Sequence, residues 1–161
     1  MAGIAALVAA VARWLALGGG ALMLATALMV TLSVTGRRLG LGPVPGDFEL
    51  VQMACGVAVL WFLPYATLAR AHIVVETLTE RLPRRARTLL DAGGLLGFAA
   101  LGLLLAATMA QGVLDLRRAG TTTMVLQLPQ VWGMATAWLG ALWLAPASLV
   151  ALARLRTHRA R

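Results

Sequence analysis

The stretch "WLALGGGALMLATALMVTLSVTG", residues 14 to 36, contains no charged side chain. A transmembrane α-helix needs about 20 mostly apolar residues to cross about 30 Å of hydrocarbon, so this stretch is long enough to span a membrane. Three further uncharged stretches of sufficient length cover residues 50 to 69, 92 to 114 and 119 to 153. The sequence therefore predicts an all-α integral membrane protein with four transmembrane helices in a single domain.

The predicted spans cover residues of about 14–36, 48–69, 88–114 and 128–153. The fourth uncharged stretch is too long for one crossing, and Pro129 suits the first turn of a helix, so the fourth span is predicted to begin near Leu128. The threonines at 121 to 123 then belong to the preceding loop. The first span is longer than the apolar core of a secretory signal, about 7 to 15 residues, so we interpret it as an uncleaved helix.

The overall composition supports membrane insertion and argues against several other classes of protein. Of the 161 residues, 60% are hydrophobic and 12% are charged, which is too apolar for a soluble domain of this length. Cys55 is the only cysteine, so the chain cannot build a disulfide framework or a thiolate metal site. The net charge of +8 is not carried by a basic stripe interleaved with aromatic side chains, so we predict no nucleic-acid partner.

The arginines are distributed unequally between the two sides of the predicted membrane domain. Ten fall before the first span, between the second and third spans, or after the fourth span, and four fall in the other two loops. Because positive residues concentrate on the cytoplasmic side of membrane proteins, both termini and the middle loop are predicted to be cytoplasmic. The ten are Arg13, Arg70, Arg81, Arg84, Arg85, Arg87, Arg154, Arg156, Arg159 and Arg161, and the four are Arg37, Arg38, Arg117 and Arg118.

Residues of about 72–83 are predicted to form a short amphipathic helix on the cytoplasmic membrane surface. By helical spacing, Val74 and Leu78 share one face, while Glu76 and Glu80 belong to the other. A helix with one apolar and one charged face lies along the membrane surface instead of crossing it. The proline at position 83 ends this predicted helix.

Several polar residues around this predicted helix are candidates for holding the protein at the membrane surface. Tyr65 suits an interfacial anchor. We interpret His72 as an interfacial hydrogen-bonding or capping residue, because haem between helices would need a partner histidine at similar depth and His158 lies in the tail. Four arginines would lie at headgroup level, where they fix the topology and can also attract anionic lipid by about 1 kcal/mol each. They are Arg81, Arg84, Arg85 and Arg87.

The uncharged stretches also limit what the chain can do chemically. Proton and ion relays in membranes are normally built from ionisable side chains, and none occurs in these four stretches. No nucleophile with a base in reach, phosphate-binding loop or cluster of metal ligands can be recognised in the sequence. We therefore predict that the chain is not an enzyme, holds no cofactor or metal, and does not couple transport on its own.

Small residues at helical spacing mark faces on which a second helix can approach closely. In the third span, Gly93 and Gly97 form a GxxxG pair, and the fourth span contains a longer series at i, i+4 spacing. These faces either pack within the four helices or bind a helix of a partner protein. Trp138 and Trp143 lie well inside the fourth span, which indicates buried protein contacts or a strongly tilted helix. The series in the fourth span is Gly133, Ala137, Ala141 and Ala145.

Two arginine pairs lie just beyond the first and third spans, in "GRRLG" and "LRRAG". Basic side chains interact favourably with the dipole at a helix C-terminus, and a following glycine suits the chain reversal. Helix termination therefore explains both pairs. The alternative is a basic outer surface that contacts an acidic periplasmic partner through Arg37, Arg38, Arg117 and Arg118.

Three motifs give the chain a family resemblance. "GDFELVQ" (46–52) enters the second span, "FLPYATLARAHIVVETLTERLP" (62–83) leaves it, and "LQLPQVW" (126–132) opens the fourth. With four spans in about 160 residues, the chain resembles the small, DctQ-type membrane subunit of tripartite ATP-independent periplasmic (TRAP) transporters. The family commonly has glycine before the histidine, where this chain has Ala71. The segment from Glu49 to Leu82 is the most specific part of the resemblance.

The resemblance implies a bacterial inner-membrane subunit that pairs with a large, DctM-type membrane subunit and works with a periplasmic, DctP-type substrate-binding protein. It also implies uptake of organic acids driven by an ion gradient, usually sodium, with substrate and ions held by the large subunit. We therefore expect a scaffold that packs on the static part of the large subunit while its surface helix fixes its depth. Two alternatives are the small subunit of a tripartite tricarboxylate transporter and a self-assembling four-helix channel or exporter.

Overall fold

The computed structural model describes residues 2–69 and 84–157 and contains four α-helices in these ranges. Each helix has a segment that is long and apolar enough to cross a membrane: Gly3–Arg38, Asp47–Leu68, Leu89–Ala119 and Gln130–Leu155. The predicted all-α architecture with four membrane-crossing helices is confirmed at this level. The predicted surface helix of about 72–83 lies outside the described residues. The helices are α1 (Ala2–Arg38), α2 (Asp47–Leu68), α3 (Arg84–Ala119) and α4 (Gln130–Thr157).

Two of the helices continue well beyond the hydrocarbon-crossing stretches. The 37 residues of α1 rise about 55 Å, against about 30 Å for the hydrocarbon of a bilayer. Arg13 therefore lies within α1, and the arginines at 84, 85 and 87 lie at the start of α3 and not in a loop. The charges mark where the hydrocarbon ends, whereas a helix continues into water because its backbone hydrogen bonds are satisfied internally and arginine is a good helix former.

The four helices pack in the order α1, α2, α4, α3. Helices α2 and α4 run parallel in the centre, since Gly133 packs against Met53 and Gly140 packs against Leu60. Helix α1 lies antiparallel beside α2, and α3 lies antiparallel beside α4, where Gly102 contacts the Ala145 backbone. Helix α4 is the most buried of the four and α1 the least. The α1–α2 loop (39–46) and the α3–α4 loop (120–129) meet at one end of the molecule, called the loop end below.

Helices α2 and α4 approach each other closely where α2 contains a proline. Pro64 is buried and has no N–H, so the carbonyl of Leu60 loses its usual hydrogen-bond donor in the helix. Gly140 of α4 packs against this carbonyl, and a side-chain carbon at Gly140 would overlap the Leu60 oxygen. The neighbouring helix thus packs directly on the polar group that Pro64 leaves free and shields it from lipid.

Two tryptophan indoles join neighbouring helices through their N–H groups. Trp61 of α2 donates from Nε1 to the Thr136 carbonyl at 2.7 Å, and Trp138 of α4 donates to the Ala106 carbonyl at 2.8 Å. The Trp143 Nε1 is also buried, with no hydrogen-bond partner among the described residues. The position of Trp138 inside the fourth helix is therefore explained by a contact with α3 and needs no extreme tilt.

We expect Trp138→Phe to destabilise the detergent-solubilised chain by about 1 kcal/mol, because it removes the bond to Ala106 and keeps most of the ring. Thermal unfolding followed by circular dichroism measures this loss. Trp132→Phe is the matched control, because the Trp132 side chain is 69% exposed and its indole makes no described hydrogen bond. Equal unfolding temperatures for the two variants would contradict a structural role for the Trp138 indole.

Candidate functional site

The first turn of α2 carries an aspartate that joins the two ends of the α1–α2 loop. The Asp47 carboxylate accepts hydrogen bonds from the Ser33 hydroxyl at 2.6 Å and from the Phe48 N–H at 2.7 Å. The Ser33 oxygen is buried and also accepts from the Val44 N–H at 3.2 Å. An ionised carboxylate suits this position because the N-terminus of a helix favours negative charge. Asp47 and Ser33 therefore fix the path of the loop between α1 and α2.

Two residues later, a glutamate holds the other loop. The Glu49 carboxylate accepts hydrogen bonds from the N–H groups of Val125 at 2.8 Å and Leu126 at 3.1 Å, one on each oxygen. Hydrogen bonds to an ionised acceptor are stronger than neutral ones. The α3–α4 loop, far away in the sequence, is thus attached to the start of α2 by a single side chain.

The α3–α4 loop is also folded on itself and packed on the α1–α2 loop. The N–H of Thr123 donates to the Leu128 carbonyl at 2.9 Å, and the Leu128 N–H donates back to the Thr123 hydroxyl oxygen at 3.1 Å. Gly46 has φ of 73°, and a side-chain carbon there would overlap the Leu126 side chain. Glycine is therefore required at 46 both for its backbone conformation and for the close contact between the loops.

The two connected loops present large apolar side chains to the outside. Met124 is 91% exposed, Leu41 is 82% exposed and Phe48 is 76% exposed. An exposed apolar patch on an ordered, hydrogen-bonded segment is typical of a surface that contacts a membrane or another protein. We call this surface, formed by residues 39–49 and 120–130, the loop platform.

All four arginines predicted to contact a periplasmic partner lie beside the loop platform, in the last turns of α1 and α3. The Arg37 guanidinium lies 3.9 Å from the Asp47 carboxylate, and Arg118 lies 3.9 Å from Asp115. Their positions agree with the helix-termination interpretation. All four side chains are exposed, but neighbouring carboxylates offset part of the charge at Arg37 and Arg118. The four are Arg37, Arg38, Arg117 and Arg118.

A comparison with protein families adds the decisive observation. The family model described as "Tripartite ATP-independent periplasmic transporters, DctQ component" matches residues 26–158. The chain belongs to this family. DctQ is the small permease component of TRAP transporters, which agrees with the four apolar helices and with the resemblance of the three motifs. No curated protein and no solved structure matches the chain.

The small residues of this DctQ chain fall into two groups. Ala137, Ala141 and Ala145 are buried within the chain itself, and Gly133 packs against Met53 of α2. The series in the fourth helix therefore packs inside the chain, because α4 lies between α2 and α3. A role of this series in binding a partner helix stays a prediction. In contrast, a side-chain carbon on either glycine of the GxxxG pair would meet nothing within 4 Å. These are Gly93 and Gly97.

Those predicted membrane-surface residues that the structure describes lie at the opposite end of the DctQ chain from the loop platform. Tyr65 is 46% exposed and lies three residues before the end of α2. The arginines at 84, 85 and 87 belong to the start of α3, while His72 and Arg81 lie outside the described residues. Roles of these side chains in lipid contact stay predictions. In residues 2–69 and 84–157 no group of three His, Cys, Asp or Glu side chains could hold a metal ion.

The sequence does not predict the contacts that build the loop platform. Asp47 and Glu49 lie in the motif "GDFELVQ", but the motif alone predicts no role for either side chain. The available signal was an acidic pair in the first turn of a membrane helix after a glycine, because carboxylates near a helix N-terminus accept free N–H groups. The partner loop of Glu49 could not be read from the sequence, since it lies 76 residues away.

Proposed function

We propose that this chain is the fixed, non-transporting scaffold subunit of a TRAP transporter. In this proposal it packs on the static part of a large membrane subunit, which carries organic acids and coupling ions by itself. The observation that supports the proposal best is the chemistry of the buried interior. The buried polar side chains among the described residues are all uncharged: Ser33, Thr67, Thr123 and Ser148.

The buried hydroxyl groups are occupied by structural hydrogen bonds. Thr67 donates to the Leu63 carbonyl and Ser148 donates to the Leu144 carbonyl, both at 2.8 Å within their own helices. Ser33 is bound to Asp47, and the Thr123 oxygen accepts from Leu128. An ion or proton pathway needs ionisable or polar groups that are free to exchange partners. The described interior offers no such set, which supports a scaffold role and argues against a self-assembling channel or exporter.

We further propose that both termini lie in the cytoplasm and that the loop platform faces the periplasm. The unequal distribution of arginines supports this orientation. The loop platform and the exposed arginines beside it would then be available to the periplasmic binding protein. Docking through these charges would weaken as salt rises, and docking that is independent of salt would count against their role. The four arginines are Arg37, Arg38, Arg117 and Arg118.

The open GxxxG face of α3 is our candidate contact with the large subunit. Gly93 and Gly97 are exposed and leave room for a second backbone to approach closely. Purification of a tagged chain from its native membrane, followed by mass spectrometry, tests the partnership. We expect a multi-spanning partner in a fixed ratio to this chain. Recovery of the chain only as a homo-oligomer would contradict the proposed function.

We expect neutralisation of the cytoplasmic arginine cluster, by replacing all four with glutamine, to reduce the amount of assembled complex in the membrane. Each arginine at headgroup level contributes about 1 kcal/mol of attraction to anionic lipid, and the cluster also fixes the topology. Quantitative immunoblotting of the complex measures the effect. The substrate affinity of the isolated binding protein should not change. The four residues are Arg81, Arg84, Arg85 and Arg87.

Neutralising the four arginines beside the loop platform provides the control for this experiment. Because those arginines lie on the proposed periplasmic side, their loss should leave insertion and complex amount unchanged. A normal level of complex after neutralisation of the cytoplasmic cluster would contradict its proposed anchoring role. The control residues are Arg37, Arg38, Arg117 and Arg118.

A further inference from the structure

A cleft of about 630 Å³ opens between α2 and α3 at the loop end. Both helices pack on α4, which forms the floor of the cleft, and they leave a gap beside each other. Gly56 of α2 lines this gap and is exposed. A side-chain carbon added at this position would meet nothing within 4 Å. The cleft is therefore accessible from the surroundings of the protein at the depth of the bilayer.

The lining of the cleft changes from polar to apolar along α2. Glu49 and Gln52 line it at the loop end, together with Gln130, whereas Leu60 lines its deepest part. From residue 48 to residue 60 the helix rises about 18 Å, which is close to half of the roughly 30 Å hydrocarbon thickness. The cleft thus has the length of one leaflet, with a polar mouth at the headgroup level and an apolar interior.

The apolar side chains along the cleft suit a flexible acyl chain. Three methionines line the apolar part, one from each of the three helices, and methionine side chains adapt to irregular flexible partners. They are Met53, Met109 and Met134.

The charge at the mouth of the cleft indicates the kind of headgroup. The described ion pairs are Arg37–Asp47 and Arg118–Asp115, so Glu49 has no arginine within 4 Å in residues 2–69 and 84–157. The Glu49 carboxylate accepts hydrogen bonds from the backbone N–H groups of Val125 and Leu126, which stabilise its ionised form at the mouth of the cleft. A primary ammonium group complements this negative charge.

We propose that this cleft binds one acyl chain of a zwitterionic aminophospholipid, with the ammonium group at Glu49 and the chain along Gly56 towards Leu60. The lipid comes from the leaflet at the loop end. It fills the gap between α2 and α3 and so supports the side of α4 that neither helix covers. This inference does not depend on the proposed transport role.

The test is lipid retention by the protein purified in complex with its large subunit, and by the chain alone. Both are reconstituted in nanodiscs of phosphatidylethanolamine or phosphatidylglycerol, extracted in detergent and analysed by native mass spectrometry. We expect both forms to retain phosphatidylethanolamine. Gly56→Leu fills the cleft and should reduce this retention about tenfold. Gly20→Leu is the matched control. A side-chain carbon added at Gly20 of α1 also meets nothing within 4 Å, and Gly20 does not line the cleft.

The headgroup is tested separately with the wild-type protein, so the result does not rest on the folding of a variant. We expect phosphatidylethanolamine to be retained in preference to phosphatidylglycerol, and Glu49→Gln to remove the preference. Equal retention by Gly56→Leu and Gly20→Leu would overturn the proposal, as would preferential retention of phosphatidylglycerol. Retention by the chain alone that disappears in the complex would also overturn it, because the large subunit would then occupy the cleft.

Discussion

Gly140→Ala should destabilise the isolated chain by about 2 to 3 kcal/mol, although alanine is the better helix former by about 1 kcal/mol. The added carbon would overlap the carbonyl oxygen of Leu60. Backbone atoms cannot move aside as a flexible side chain can, so α2 and α4 must separate. Their separation would expose the carbonyl that Pro64 leaves without a donor. Thermal unfolding in detergent, followed by circular dichroism, measures the loss.

Gly20→Ala is the control for this substitution, because Gly20 lies within α1 and a side-chain carbon there meets nothing within 4 Å. We expect it to be neutral or slightly stabilising, since it gains helix propensity without a clash. The two substitutions are chemically identical and should change stability in opposite directions. A Gly140→Ala variant as stable as Gly20→Ala would contradict the tight contact between α2 and α4.

Glu49→Ala should detach the α3–α4 loop from the start of α2. The substitution leaves the N–H groups of Val125 and Leu126 without their acceptor, and it removes the only side chain described as bonding them. Hydrogen–deuterium exchange reports the local effect directly. Exchange at Leu126, which is part-buried, should accelerate on the order of tenfold as the loop opens locally.

Two further substitutions test whether Glu49→Ala acts by releasing the loop platform or by destabilising the whole protein. Glu49→Gln keeps one acceptor oxygen and should give an intermediate exchange rate. Asp115→Asn removes an exposed carboxylate at the same end, whose described partner is Arg118, and should leave exchange at Leu126 unchanged. Wild-type protection of Leu126 in Glu49→Ala would mean that the loop platform is held by other contacts.

The number of membrane-crossing helices could be predicted from the sequence because it depends on a local property, the distance between charged residues. The positions of the helix ends could not. The charges at Arg13 and Arg84 mark the edge of the hydrocarbon, but α1 and α3 continue past them. A helix in water or in lipid satisfies its own backbone groups, so leaving the membrane does not end it.

The sequence predicts which small residues share a helix face. It does not predict which neighbouring helix each face contacts. The series from Gly133 to Ala145 and the pair Gly93 and Gly97 look alike in the sequence. Only the order of the helices distinguishes them, since α4 is central and buries its series, whereas the α3 pair faces outwards. Gly140 was missed because its partner is a single carbonyl, freed by a proline in a different helix.

The loop platform depends on contacts between residues far apart in the chain. Glu49 binds the N–H groups at 125 and 126, and Gly46 packs on Leu126. The acidic residues themselves suit the first turn of a helix, but a single sequence gives no sign of which loop they hold. The motif that identified the family thus contains the side chains that join the two loops.

In the proposed function, this chain supports transport that another subunit carries out. Reconstitution in proteoliposomes with an imposed sodium gradient tests it most directly, with the binding protein and organic acid supplied outside. The chain alone should give no solute accumulation, the large subunit with this chain should accumulate solute, and removal of this chain should reduce accumulation strongly. Gradient-driven accumulation by the purified chain alone would contradict the proposed scaffold role.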